Sequence, residues 1–281
     1  MAGAGGDAAG RPDLGRRGAG MAKDADRVAQ ELMRQHRQRE KFRTLSPQWP
    51  VEDLEDAYAV QARFVARMRD ESGAAIAGYK IGLTTKRMQH MCGIDHPIPG
   101  VVLADRVHRS GVRLDLADHV HLGFEFEICT RLGRDLPPGG APYDREAVAD
   151  AVDAVCAALE VVDDRGADYA GLDVRSLVAD NSWNAGVVLG EFKTSWPELA
   201  PVEGVVHRNG EEIGRGRGAD ALGHPFEPLT WLANHLARSG GGLKAGDFVM
   251  TGSLITTRFP AGPERYDFDV SSLGHVDVTV G

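Results

Sequence analysis

Residues 121–130 read HLGFEFEICT, which sets two carboxylates, Glu125 and Glu127, two positions apart in an apolar run. In an extended chain successive side chains point to opposite faces. Phe124, Phe126 and Ile128 then share one apolar face, and Gly123, Glu125 and Glu127 share the other. Like charges side by side repel unless water or a cation screens them. Two readings follow: a half-buried edge strand with an acidic solvent face, or a strand that holds a cation. The natural third carboxylate is Glu160 in ALEVVDDR. An apolar helix over 144–159 is expected to end there, and an acidic residue at a helix C-terminus opposes the dipole. Its position argues that Glu160 already belongs to the following strand or turn. Three carboxylates that leave positions open for water and substrate suit Mg2+ or Mn2+.

Other constellations compete. His119, His121 and Glu125 spell H-x-H-x3-E, which resembles the first metal motif of cupins, but Gly111 and Gly133 are off its register and no second-half histidine follows. GRGRG at 214–218 lacks the Gly-Lys-Ser/Thr ending of a phosphate loop and reads as a solvated loop. His224 and His235 lie near a helix with no visible partner. Cys92, Cys129 and Cys156 are far apart and never in a CxxC pair, which fits buried free thiols in a cytoplasmic protein.

The elements that must position these residues are legible from period and punctuation. The stretch 23–43 is charged and helix-compatible. After Pro50, Leu54, Ala57, Val60, Phe64 and Met68 fall at helical spacing, up to a stop at Gly73. DREAVADAVDAVCAALE is expected to form a helix with Asp144 as its cap and a stripe of Val148, Val152, Val155 and Leu159. Pro228–Ser239 is expected to form another, ending at three glycines. Asn209-Gly210 marks a hairpin. The segments 75–133 and 247–281 read as strands and loops. Three regions result: a disordered Gly/Ala/Arg-rich extension over 1–22, for which Met21 is an alternative start, a helical segment over 23–75, and a mostly β domain over 76–281.

Bulk properties narrow the function. The 281 residues are 42% hydrophobic and 26% charged, ordinary for a soluble protein with a sizeable core. The 32 basic and 41 acidic residues give a net charge of −9 with no basic stripe, which argues against nucleic acid as a partner. No apolar run approaches the roughly 20 residues of a membrane span.

Six ordered segments, GYKIGLTTKRMQ, FEFEI, ALEVVDDR, VADNSWNAGVVLG, GHPFEPLTWLANHLA and LKAGDFVMTGSL, resemble the 2-keto-4-pentenoate hydratase family of the fumarylacetoacetate hydrolase superfamily. The resemblance runs from about residue 50 to 281. It implies an α+β fold, mostly β, with twisted sheets rolled around a metal site, N-terminal and peripheral helices, and a homo-oligomer that can complex with a pathway enzyme. It implies Mg2+ or Mn2+ on Glu125, Glu127 and Glu160, and a catalytic Lys80 in G-x-K-x-G-L-T. A pocket of Leu83, Asp180, Asn181, Thr251, Gly252 and Ser253 is implied for a small 2-oxo or 2-hydroxydienoate acid. The implied activity is a hydratase of 2-hydroxy-2,4-dienoates; a 4-oxalocrotonate-type decarboxylase, a C–C hydrolase of a related 2-oxo acid and a non-catalytic assembly subunit remain open. A cation nearby is expected to depress the pKa of Lys80. One position departs from the family: in GIDHPIPG, Ile98 stands where hydratases carry an Asp implicated in acid/base work. His96, Asp95 or His121 could replace it, and a decarboxylase needs no water base there.

Overall fold

The computed structural model describes residues 14–45 and 47–281. Helix α1 (Leu14–Arg37) starts earlier than expected, inside the stretch read as disordered; residues 1–13, the rest of that stretch, lie outside the described residues. Helix α2 (Leu54–Ser72) has the expected bounds. Asp53 caps it by accepting the amide of Asp56, and Gly73 ends it at φ 72°. Ala57, Val60, Phe64 and Met68 form its buried face. Strand β1 (Ile76–Gly82), helix α3 (Lys86–Met91), strands β2 (Ile98–Leu103), β3 (Val107–Arg109) and β4 (Val112–Leu114), and the long β5 (Leu122–Leu132) follow.

The expected helix over 144–159 is a strand for most of its length. Asp144 does cap a helix, but α4 spans only Arg145–Ala149, and Val152–Asp163 form β6. Ten of the eleven residues from Val152 to Val162 are buried. A strand covered on both faces reads as a continuous apolar run, in which a helical stripe and a pleat cannot be told apart by spacing. Its β-branched valines settle the competition for the strand. Glu160 therefore lies mid-strand, near no helix end.

Helix α5 (Val174–Ala179), strands β7 (Asn184–Leu189), β8 (Glu203–Arg208) and β9 (Glu211–Arg217), helix α6 (Phe226–Arg238) and strands β10 (Phe248–Arg258), β11 (Glu264–Val270) and β12 (Gly274–Val280) complete the chain. The hairpin at Asn209-Gly210 joins β8 and β9, with both residues at positive φ. Most of GRGRG lies within β9 rather than in a loop, on the edge of a sheet.

Two mixed sheets result. The larger has the order β2-β1-β10-β5-β6-β7-β3, and the smaller β4-β12-β11-β8-β9. Strand β5 is central, so the acidic-edge reading of HLGFEFEICT is excluded. Its Phe124, Phe126 and Ile128 meet Tyr266, Phe268, Val276 and Val278 in the core between the sheets. The opposite face of the large sheet is covered by α1, α2 and α5, which pack on Ile98, Leu103 and Val162. Among the described residues no helix is long and apolar enough to cross a membrane.

Candidate active site

Glu125 on β5 and Glu160 on β6 are direct cross-strand partners, and Glu127 follows on the same face of β5. The three carboxylates offer oxygens within 4.8 Å of one another. Each is tied back by one oxygen. Thr257 Oγ1 donates to Glu125 Oε1 (2.9 Å), the amide of Gly252 to Glu127 Oε2 (2.7 Å), and Asn184 Nδ2 to Glu160 Oε1 (3.0 Å). Glu127 Oε1 and Glu160 Oε2 are buried with no partner among the described residues. Leaving such groups unmade costs about 1–3 kcal/mol each, more when charged, so these oxygens are the natural ligands of an ion. Second-layer donors of this kind orient metal ligands.

Lys80, 4% exposed, reaches the same point from β1, with Nζ 3.1 Å from Glu160 Oε1. Its aliphatic stem runs over Gly100 on β2, where any Cβ would lie 2.9 Å from Lys80 Cγ. Gly252 sits at φ 108°, and a Cβ there would meet Thr84 Oγ1 at 2.2 Å; only glycine lets β10 aim this amide at Glu127.

The charges do not balance. One ammonium against three carboxylates leaves two negative charges in a buried site, which one divalent cation would neutralise. Burial, then Glu160 and Glu125, push the Glu127 carboxyl well above its ordinary range. Burial likewise lifts Glu160 to about 7, although Lys80 and Asn184 oppose it. For Lys80 burial works against the charge, but Glu160, Glu125 and Glu127 outweigh it and the ammonium is held above the usual lysine value. The expected depression is thus reversed without a cation, because the carboxylates face Lys80 unscreened. The residues fit a hard divalent cation by their oxygen donors, their unpartnered atoms and their charge.

The other sequence-derived positions divide. Gly252 is at the carboxylates. Thr251 and Ser253 flank it, but their hydroxyls bond backbone oxygens of Ile128 and Ile255. Leu83, at φ 57°, follows Lys80's strand and gives its carbonyl to Gln89. Asp180 is buried and paired with Arg165 and with His36 of α1 (2.6 Å). Asn181 clamps both the amide and the carbonyl of Val101, and its own carbonyl abuts Gly100 beside the Lys80 stem. Ile98 is the partner of Gly82 and packs on its Cα side, a position shared with Lys80 Nζ.

Sequence reasoning missed Asn184 and Thr257, and the turn that delivers Asn184. Asn181, Ser182 and Trp183 all have φ of 51–58°. Three consecutive non-glycine residues in the left-handed region cost roughly 1–2 kcal/mol each, and such strain concentrates at functional sites. Only the polar spacing of DNSWN hinted at it. A cavity of about 440 Å³ lies behind Asn184, lined also by His36, Phe64, Arg106 and Trp183; none of the three carboxylates reaches it. His224 and His235, expected to be partnerless, are both engaged: His224 with Glu198, and His235 stacked on Trp231.

Residues 100–280 match the model of the fumarylacetoacetate (FAA) hydrolase C-terminal family. The chain belongs to the fumarylacetoacetate hydrolase family. It is 33% identical over 258 residues to the 2-oxo-hept-4-ene-1,7-dioate hydratase of Escherichia coli, covering 89% of this chain and 95% of that one. It is 33% identical over 247 residues to the 2-keto-4-pentenoate hydratase of Burkholderia vietnamiensis, covering 84% and 91%. The 4-oxalocrotonate decarboxylase of Pseudomonas putida G7, solved with magnesium and adipate, superposes with a TM-score of 0.86 at 27% identity over 92% of this chain and 98% of that one. A fumarylpyruvate hydrolase from Pseudomonas aeruginosa, solved with Mn2+ and pyruvate, shares the fold at a TM-score of 0.56 and 17% identity, over 72% of this chain and 88% of that one.

Proposed function

We propose that this family member is a Mg2+- or Mn2+-dependent hydratase that converts a 2-hydroxy-2,4-dienoate into a 4-hydroxy-2-oxo acid. The observation that carries the reading is the trio of tied-back carboxylates, with two buried oxygens unpartnered and Lys80 at 3.1 Å. Similarity to two hydratases over most of the chain supports it. Glu125, Glu127 and Glu160 would hold the cation, which supplies Lewis-acid polarisation of a 2-oxo carboxylate.

The protein's own groups do the rest. Lys80, protonated and water-poor, stabilises negative charge that develops on the 2-oxygen and delivers a proton to carbon. The amide of Gly252 and Asn184 keep the acids oriented while substrate exchanges, and the burial of Glu127 and Glu160 keeps bulk water from screening these charges. Loss of the dienoate ultraviolet absorbance should require added Mg2+ or Mn2+; turnover in chelator equal to that of metal-loaded protein would sink the reading.

A decarboxylase is the second reading, favoured by Ile98, an apolar side chain beside Gly82 and Lys80 where a carboxyl acid/base is absent. Release of CO2 from a 2-oxohexenedioate decides between the two activities.

A further inference from the structure

Strand β2 is the outermost strand of the large sheet, and it backs the lysine. It pairs antiparallel with β1, with Tyr79 opposite Val101, Lys80 opposite Gly100 and Ile81 opposite Pro99. No strand of the sheet lies on its other side, where backbone groups would go unpaired. Side chains take that place. Asn181 stands in for one residue of a missing strand: its Oδ1 accepts the Val101 amide (2.8 Å) and its Nδ2 donates to the Val101 carbonyl (2.9 Å). Gln61 of α2 and Ser182 both donate to the Pro99 carbonyl, at 2.8 and 3.0 Å. All three of these side chains belong to buried residues.

The clamp and the lysine share one floor. The Asn181 carbonyl and the Lys80 stem both stand over Gly100, where a Cβ would lie 2.9 Å from the carbonyl oxygen and 2.9 Å from Cγ. A lysine stem is flexible, and a track bounded by β2 and the Asn181 peptide is what gives Nζ one position. Three residues on, Asn184 donates to Glu160 Oε1, the same oxygen that Lys80 Nζ approaches to 3.1 Å. Residues 181–184 therefore hold both partners of that contact, the lysine through β2 and the carboxylate directly. They do so at left-handed φ over 181–183, a strain that persists only where its surroundings enforce it.

We propose that Asn181 is a positioning residue for the reaction: by clamping Val101 it keeps β2 against β1 and aims the Lys80 ammonium. This rests on the hydratase reading, in which Lys80 stabilises charge on the 2-oxygen and protonates carbon. In this role Asn181 touches no substrate, since both ends of its side-chain amide are spent on Val101. Without the clamp β2 is an edge strand free to shift, and Nζ shifts with it. A misplacement of about 1 Å costs on the order of 100-fold in rate. The carboxylates stand on β5 and β6, to which Asn181 makes no hydrogen bond among the described residues, so metal binding should not change.

The test uses the full-length, Mg2+-loaded protein and 2-hydroxypenta-2,4-dienoate, with enzyme in excess so that slow variants are still read. Asn181→Gly removes the clamp and adopts the left-handed φ without strain. It should lower the hydration rate about 10–100-fold, with substrate and Mg2+ affinity within about twofold of the parent. Lys80→Met should lower the rate further. Adding Asn181→Gly to Lys80→Met should cost less than about twofold, because the group being aimed is gone. Gln61→Met, which frees Pro99 from the α2 side, should repeat the pattern with a smaller loss, and it reads the same cycle if Asn181→Gly does not fold. The positioning role fails while the hydratase stands on any of three results: Asn181→Gly matches the parent, its loss lies in substrate or metal affinity, or it slows Lys80→Met as much as it slows the parent. If the parent hydrates nothing, both fall.

Discussion

The two faces of the β5–β6 ribbon are one residue out of phase and opposite in character. One face bears Phe124, Phe126, Ile128, Leu159 and Val161, sealed against the small sheet. The other bears Glu127 and Glu160, as deeply buried but charged, and the half-buried Glu125. The same backbone thus stores stability on one side and spends some of it on the other. Burial alone does not distinguish the faces; whether each buried atom has a partner does.

The largest expected effect breaks the charged face alone. Glu127→Gln removes a proposed ligand and should lower turnover on the order of 10³-fold. The metal-free fold should hold or gain stability, because the lost charge is one that burial and Glu160 disfavour. A melting temperature in chelator that falls together with activity would show that the two faces are not separable. Phe126→Ala is the converse: it should cost about 3–5 kcal/mol in denaturant unfolding, while protein that remains folded still binds the cation.

A smaller effect sharpens the second layer. Asn184→Ala should weaken Mg2+ binding about 10–100-fold by calorimetry, with little change in unfolding free energy in chelator. The smallest effect is a pH slope. Glu160 has a folded pKa of about 7 against 4.5, so its contribution in metal-free protein is fully present below about pH 4.5 and is lost as pH rises to about 7. Melting temperatures in chelator should fall across that window and, with Mg2+ present, should be increasingly restored toward pH 7, because the ion takes ionised ligands. A chelator profile that rises instead would mean that Glu160 is not the strained acid.

How much of this was readable in advance depended on the kind of signal. Alternation in HLGFEFEICT separates the acids from the aromatics without any fold, because period two survives wherever one face differs from the other. It failed in β6 for the opposite reason: Ala154, Ala157 and Ala158 make both faces apolar, and the run passed for a helix. Glu160 was still found, since a lone acid in such a run needs a reason under either reading. Asn184 and Thr257 carried no such contrast, being ordinary polar residues until the turn at Asn181–Trp183 and the end of β10 bring them to the acids. Lys80 was placed by its motif, but the sign of its pKa shift depends on three carboxylates whose distance no spacing reveals.

The strand order also sets a schedule for assembling the site. Glu125, Glu127 and Glu160 belong to one antiparallel pair close in sequence, which can form early. Lys80 reaches them only through β10, the strand lying between β1 and β5 and drawn from the far end of the chain. Contacts this distant in sequence form late. A nascent chain that has not yet made β10 therefore holds three clustered acids with neither the Lys80 ammonium nor the Gly252 amide beside them. In that interval a divalent cation could supply the missing counter-charge, so Mg2+ or Mn2+ added during synthesis should raise the yield of folded protein if the proposed metal site is correct.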